Sequence, residues 1–227
     1  QRNVLVHMKT NQEYKNAALA ALKGNWALAV VTSIVLTAVI YLFSGPYMYV
    51  DLVGLEQLMV SSPKFVWVAL GLFYFGFIFM YMPMFVGYAN ATRALYNDGD
   101  GRLLSNTVSG TFRPYFRNVW GMFLSGLYIF LWTLLLIVPG VIKSFAYAMT
   151  PYILNDYPEL SANQAINLSR KMMKGHKFDL FCLLLSFIGW SILNIFTIGI
   201  GTLWLYPYMY TSMAAFYQDV KKEYSQA

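Results

Sequence analysis

The densest group of chemically capable side chains is basic: Arg170, Lys171, Lys174 and Lys177. They lie on Leu160–Lys177, where Ser161, after Pro158, is placed to N-cap a helix. Ala165, Ile166, Leu168 and Met172 recur there at helical spacing. An apolar stripe opposite a basic side is the pattern of a helix lying at a membrane surface. Each such cation contributes about 1 kcal/mol toward anionic lipid headgroups. Plain anchoring is the alternative, because cytoplasmic boundaries collect Lys and Arg whether or not they recognise a ligand.

A second candidate is Pro139-Gly140 with Lys143 close behind. A broken helix beside a cation lines the substrate site of some carriers. The competing reading has Lys143 snorkelling to the outer interface from a hairpin tip.

Other chemistry finds little material. A metal centre needs several converging His, Cys or carboxylate ligands. The chain has two His and one Cys, and Asp51, Glu56, Asp98, Asp100, Asp156, Glu159 and Asp219 fall in loops or at the ends of helical runs. Asn97-Asp98-Gly99-Asp100-Gly101 has a calcium-loop flavour but lacks the Glu at the twelfth position, so it reads as a turn. Nucleophilic catalysis needs an activating base, and only His176, in a basic segment suited to water and headgroups, is available. No phosphate-cradling Gly pattern occurs. The chain reads as a non-enzyme without cofactor or metal.

The elements that must carry these residues are membrane helices. Hydrophobic residues make up 58% of the 227 and charged residues 11%, less than half the charge of a soluble domain at about 25%. Trp26–Phe43, Phe65–Tyr88, Val119–Val138, Phe178–Phe196 and Ile198–Phe216 are apolar runs near the roughly 20 residues that span a bilayer. The net charge of +6 sits at their flanks, which fits anionic lipid and the positive-inside rule rather than nucleic acid. Cys182, in an apolar run, reads as a structural thiol.

Met8-Lys9-Thr10 reads as a natural start, with Gln1–His7 an added leader or upstream extension. Residues 8–25 form an expected interfacial amphipathic helix, 26–217 one helical membrane domain and 218–227 a cytoplasmic tail. Ser44–Lys64 reads as an external loop and Pro83 as a kink. The cations of Asn155–Lys177 belong in the cytoplasm, which requires Val119–Val138 to go out and Val141–Leu154 to return, turning at Pro139-Gly140. The expected fold is all-α: a polytopic bundle of six membrane segments in three helical hairpins, with both termini inside. Five spans is the alternative. Asn194 is expected to hydrogen-bond between helices.

A weak internal repetition accompanies this arrangement. Lys23–Trp26, Arg117–Trp120 and Lys174–Phe178 each join a polar stretch to a span, and Ala94–Asp98 resembles Ala215–Asp219. Three hairpins, each preceded by an interfacial helix, would explain both sets.

Leu136–Leu154 and Glu159–Gly175, with Phe187-Ile188-Gly189-Trp190 and Ile198-Gly199-Ile200-Gly201, resemble a bacterial family of integral membrane proteins known as domain of unknown function 975. The opening Lys9–Trp26 is similar to its usual start, so the resemblance extends from Met8 onward. More loosely, Pro139-Gly140 and Ala165…Ser169…Gly175 resemble the membrane domain of some glycerophosphodiester phosphodiesterases. That likeness implies six helices and a lipid-related setting, without the catalytic barrel. The expectation is a multi-pass protein of the bacterial cytoplasmic membrane that organises lipids or contacts a partner membrane protein, or a second copy of itself, through its basic face. A small-molecule or lipid transporter using Pro139, Gly140 and Lys143 is the alternative.

Overall fold

The computed structural model describes residues 8–226, and helices are its only regular elements there; the leader expected at residues 1–7 lies outside that range. Helix α1 (Asn11–Leu22) opens with a capping box. The Thr10 hydroxyl accepts from the Glu13 amide at 3.3 Å, and the Glu13 carboxylate accepts from the Thr10 amide at 2.6 Å. After Gly24, whose φ of +84° a side chain would resist, α2 (Trp26–Val53) runs for 28 residues.

Most of the loop expected over 44–64 is helical. α2 continues through Pro46 to Gly54, and α3 (Leu55–Ser61) and α4 (Pro63–Gly76) follow at once. Aromatic packing between α2 and α4 accompanies the extension: Tyr47 stacks on Phe73 at 4.8 Å and Tyr49 meets Phe65 edge-on at 5.7 Å. A π-helical turn, Phe77–Tyr81, then joins α4 to α5 (Met82–Asp98). Pro83, which has no N–H to give, follows the turn, and the Tyr115 hydroxyl of α7 donates to the Phe79 carbonyl within it.

The rest of the chain is α6 (Leu103–Phe112), α7 (Tyr115–Leu135), α8 (Ile137–Tyr147), α9 (Thr150–Asp156), α10 (Ala162–Met172), α11 (Lys177–Leu185), α12 (Ile188–Phe196) and α13 (Thr202–Gln226). Three antiparallel hairpins result. In the first, α2 pairs with α4. In the second, Thr133 of α7 abuts Gly140 of α8 and Gly121 abuts Leu154 of α9. In the third, Asn194 donates to Thr202 at 2.6 Å and Phe187 meets Tyr208 at 5.0 Å. Asn194 therefore does tie two helices together, at the hairpin tip.

Each hairpin is preceded by a short helix that packs on the returning leg of another. α6 lies on α5 so closely that a Cβ on Gly87 would sit 2.1 Å from the Thr107 carbonyl. α10 covers α9 and α7, and α1 lies along α13, with Tyr14 edge-on to Phe216 at 5.5 Å. That last contact joins the two ends of the chain and closes a ring of three.

Five helices are long and apolar enough to cross a membrane: Trp26–Val53, Pro63–Asp98, Tyr115–Leu135, Ile137–Asp156 and Lys177–Phe196. The sixth expected segment is the first part of α13. This helix instead occupies the centre, burying Pro207, Tyr208, Thr211, Ser212 and the run from Ala214 to Val220. Its many Tyr, Thr and Ser residues, with Gln218 and the charges of its second half, keep it out of the apolar set. The segment expected as a tail from residue 218 continues α13, with Gln218, Asp219 and Val220 buried.

Candidate functional site

The four cations of the basic cluster sit at the end of α10 and on the segment that leads into α11. A capping box at Ser161 starts α10: its hydroxyl accepts from the Gln164 amide at 3.3 Å, and the Gln164 side chain accepts from the Ser161 amide at 2.8 Å. Ala162, Ala165, Ile166, Ser169 and Met172 are buried, and the Ser169 hydroxyl donates to the Ala146 carbonyl of α8 at 2.9 Å. With that face locked, Arg170, Lys171 and Lys174 are exposed and Lys177 is half-buried. Among the described residues none of the four has a carboxylate within ion-pair distance. His176 turns inward, to Asp179 at 3.4 Å and Glu223 at 3.3 Å.

The Pro139-Gly140 break falls elsewhere than expected. Leu136, extended at φ −161° and ψ 142°, separates α7 from α8. Pro139 then sits in the first turn of α8, where a helix needs no N–H from it. Gly140 serves close approach: a Cβ there would lie 2.1 Å from the Thr133 hydroxyl oxygen. The Lys143 ammonium rests 4.5 Å from the Trp132 ring centre, a cation–π contact within the hairpin.

A site that the sequence reading missed lies where the three returning legs converge. The Asp156 side chain, at the end of α9, is 3% exposed. One of its oxygens meets Arg93 of α5 at 2.6 Å. The other accepts from the Tyr217 hydroxyl and the Lys221 ammonium of α13, both at 2.7 Å. Tyr152 stacks on Tyr217 at 5.0 Å, and Lys221 lies 5.1 Å from the Tyr157 ring centre. Arg117 of α7 donates to the carbonyls of Leu154, Tyr157, Pro158 and Leu160. It thereby meets one carbonyl of the last turn of α9, that of Leu154, and three of the segment just after it, with the charge a helix C-terminus prefers. Every hairpin contributes to this cluster, which ties the three together by charge and hydrogen bonds.

A second buried carboxylate stands next to it. Asp219 lies inside α13 rather than at a helix end, and the Lys9 ammonium meets it at 2.8 Å. Burial alone would lower Lys9, but the hydrogen bond and charge of Asp219 outweigh it, and its pKa is raised. Tyr14 is pushed well up by burial first and by Asp219 second. A sequence signal existed: Asn97-Asp98, Asn155-Asp156 and Gln218-Asp219 end the returning legs α5 and α9 and the membrane-like part of α13. Only the latter two carboxylates are buried. The Asn97–Gly101 segment is a turn, with Gly99 at φ +65° ending α5 and Asp100 held low by hydrogen bonds from Arg102 and Asn106.

Among the described residues no three His, Cys, Asp or Glu side chains group as metal ligands. The chain matches, over residues 104–224, the family described as protein of unknown function (DUF975). The match takes in the second and third hairpins and leaves the first outside it. No curated protein and no solved structure matches the chain.

Proposed function

The chain belongs to the DUF975 family of proteins of unknown function, and from that premise we propose that it is a non-enzymatic, multi-pass protein of the bacterial cytoplasmic membrane that gathers anionic lipids at its basic face. Six segments in three hairpins, with both termini on the cytoplasmic side, put Lys9, Lys23, Arg113, Arg117, Arg170, Lys171, Lys174 and Lys177 on one side, as the positive-inside rule requires.

One observation carries the lipid reading: the cations divide into two groups. Lys9, Arg93, Arg117 and Lys221 are spent inside the fold, on Asp219, on Asp156 or on the carbonyls in and just after the last turn of α9. Arg170 and Lys171 at the end of α10, and Lys174 in the turn that follows, are exposed and without carboxylate partners among the described residues, while the opposite face of the helix is buried. A row of fixed, unneutralised cations beside apolar helices suits phosphate-bearing headgroups.

The test is retention of phosphatidylglycerol against phosphatidylcholine by the detergent-purified protein, read by native mass spectrometry. The triple reversal Arg170→Glu, Lys171→Glu, Lys174→Glu is expected to reduce the phosphatidylglycerol preference at least about tenfold, given about 1 kcal/mol per cation. An unchanged preference sinks the reading.

A further inference from the structure

The first and third hairpins share a plan but not a reach. From Trp26, which follows the polar Lys23-Gly24-Asn25, α2 runs 28 residues, about 42 Å. That exceeds the roughly 30 Å of bilayer hydrocarbon, and the tip beyond it exposes Asp51, Glu56, Gln57 and Lys64. The third hairpin stops lower. Thr37 and Ile40 of α2 line a small cavity, about 120 Å³, together with Thr202 and Leu203 of α13, which sets the third turn level with Ile40. Ile40 is 14 residues from Trp26, about 21 Å, and 13 residues, about 20 Å, short of Val53. On the outgoing leg Lys15 of α1 donates to the Ser186 carbonyl at 3.2 Å, and α12, nine residues or about 14 Å, is all that lies between that level and the turn.

The turn itself is made for a place without water. No charged residue occurs from Leu180 to Gln218, and Phe196, Ile198 and Ile200 are 61% to 93% exposed. Yet every amide from Thr197 to Leu205 donates inside the chain. Eight reach carbonyl oxygens at 3.0–3.2 Å, and that of Gly201 reaches the Thr197 hydroxyl at 3.0 Å. The polar side chains of Asn194 and Thr202 bond to each other. A turn in water leaves such amides to the solvent, whereas in hydrocarbon the chain must satisfy each of them.

We propose that the third hairpin is re-entrant. It enters from the cytoplasmic side, turns within the bilayer, and seats Phe196, Ile198 and Ile200 against acyl chains of the outer leaflet. Only the first of the two hairpins carries a tip through to the outer surface, and residues 180–218 present nothing there. The proposal rests on the cytoplasmic orientation of both termini given above and is independent of the lipid preference of α10.

Single-cysteine variants on a Cys182→Ala background test it in right-side-out membrane vesicles with a charged, membrane-impermeant maleimide. Glu56→Cys is expected to react in intact vesicles, and Ser225→Cys only once they are opened. Ile198→Cys and Ile200→Cys are expected to lose labelling from both sides, although both positions are bare of protein, and to recover it in denaturing detergent. A nitroxide attached at position 198 in phosphatidylglycerol vesicles gives a positive reading of depth. It is expected to relax more strongly with oxygen, which gathers in hydrocarbon, than with a water-soluble nickel chelate. Labelling of Ile198→Cys or Ile200→Cys in intact vesicles while Ser225→Cys stays protected overturns the buried turn alone, as does a nitroxide that answers the chelate more strongly. Labelling of Ser225→Cys in intact vesicles overturns the orientation, and this proposal with it.

Discussion

At the basic end of the bundle Tyr14, Leu22, Leu95, Met149, Tyr152 and Phe216 are each no more than 1% exposed. At the tip of the second hairpin Leu134 to Val138 are 66% to 73% exposed, and at the third Ile195, Phe196 and Ile198 are at least as bare. Polar groups run the other way. Asp156 and Asp219 are buried with their cations at the basic end, while the tips hold mostly hydroxyls and amides that bond within their own hairpin. One chain thus follows two sets of rules, each suited to its solvent. Next to water, apolar area must be hidden, and the core packs as in a soluble domain. In lipid an exposed Leu costs nothing, so helices need only satisfy their backbone and touch where small residues allow.

The sharpest way to break this contrast is through the clamp. Asp156→Ala leaves the half-buried Arg93 without its carboxylate and removes the acceptor of Tyr217 and Lys221. It is expected to cost about 3–5 kcal/mol, as breaking a buried pair does, read as a large fall in melting temperature in detergent. Asp98→Ala, at the matching but exposed position, should stay within about 0.5 kcal/mol. Comparable losses at both sites would dissolve the distinction.

Next in size are cavities. Leu22→Ala at the basic end is expected to cost about 2–5 kcal/mol, and Leu135→Ala at the tip well under half as much, because little packing surrounds it. Glycines extend the comparison. A methyl on Gly87 would meet the Thr107 carbonyl and the Thr111 amide, whereas Gly189 has open space around it. Gly87→Ala should therefore lose about 1–3 kcal/mol by overpacking, while Gly189→Ala should be neutral or gain a few tenths from helix propensity.

The smallest effect concerns the docking of α1. Lys9 has a raised pKa, so its pairing with Asp219 is fully present below the ordinary lysine value and lost as pH rises through the folded one. Tyr14, also raised, keeps its proton in the folded state where the unfolded chain would release it, which penalises folding in the same direction. Melting temperature should hold steady to about pH 10 and decline above it. Asp219→Asn should lower the plateau and flatten the decline; an unchanged alkaline profile would remove the pair from the account.

Much of the architecture was legible because hydropathy and capping are local. The apolar runs located the hairpins, Ser161 began α10 as its spacing predicts, and the repeated junctions marked three units of a short helix plus a hairpin. Boundaries were less legible. The turn sits at Leu136 rather than Pro139-Gly140, since proline is accepted in a first turn, and α2 absorbs half of an expected loop alongside α4. The exposed basic face of α10 could be read from its spacing. The clamp could not: Arg93, Asp156 and Lys221 come from three distant segments, and nothing in Asn155-Asp156 distinguishes it from Asn97-Asp98 until the segments meet.

By itself, then, the order of residues determined which stretches are apolar enough to prefer lipid and where several helices begin, because those preferences are properties of a few neighbouring side chains and their solvent. Tertiary structure alone decided which cations remain free and which carboxylates are buried. Each of those outcomes depends on what the other hairpins bring within a few ångströms, and at that range desolvation and pairing outweigh any local preference.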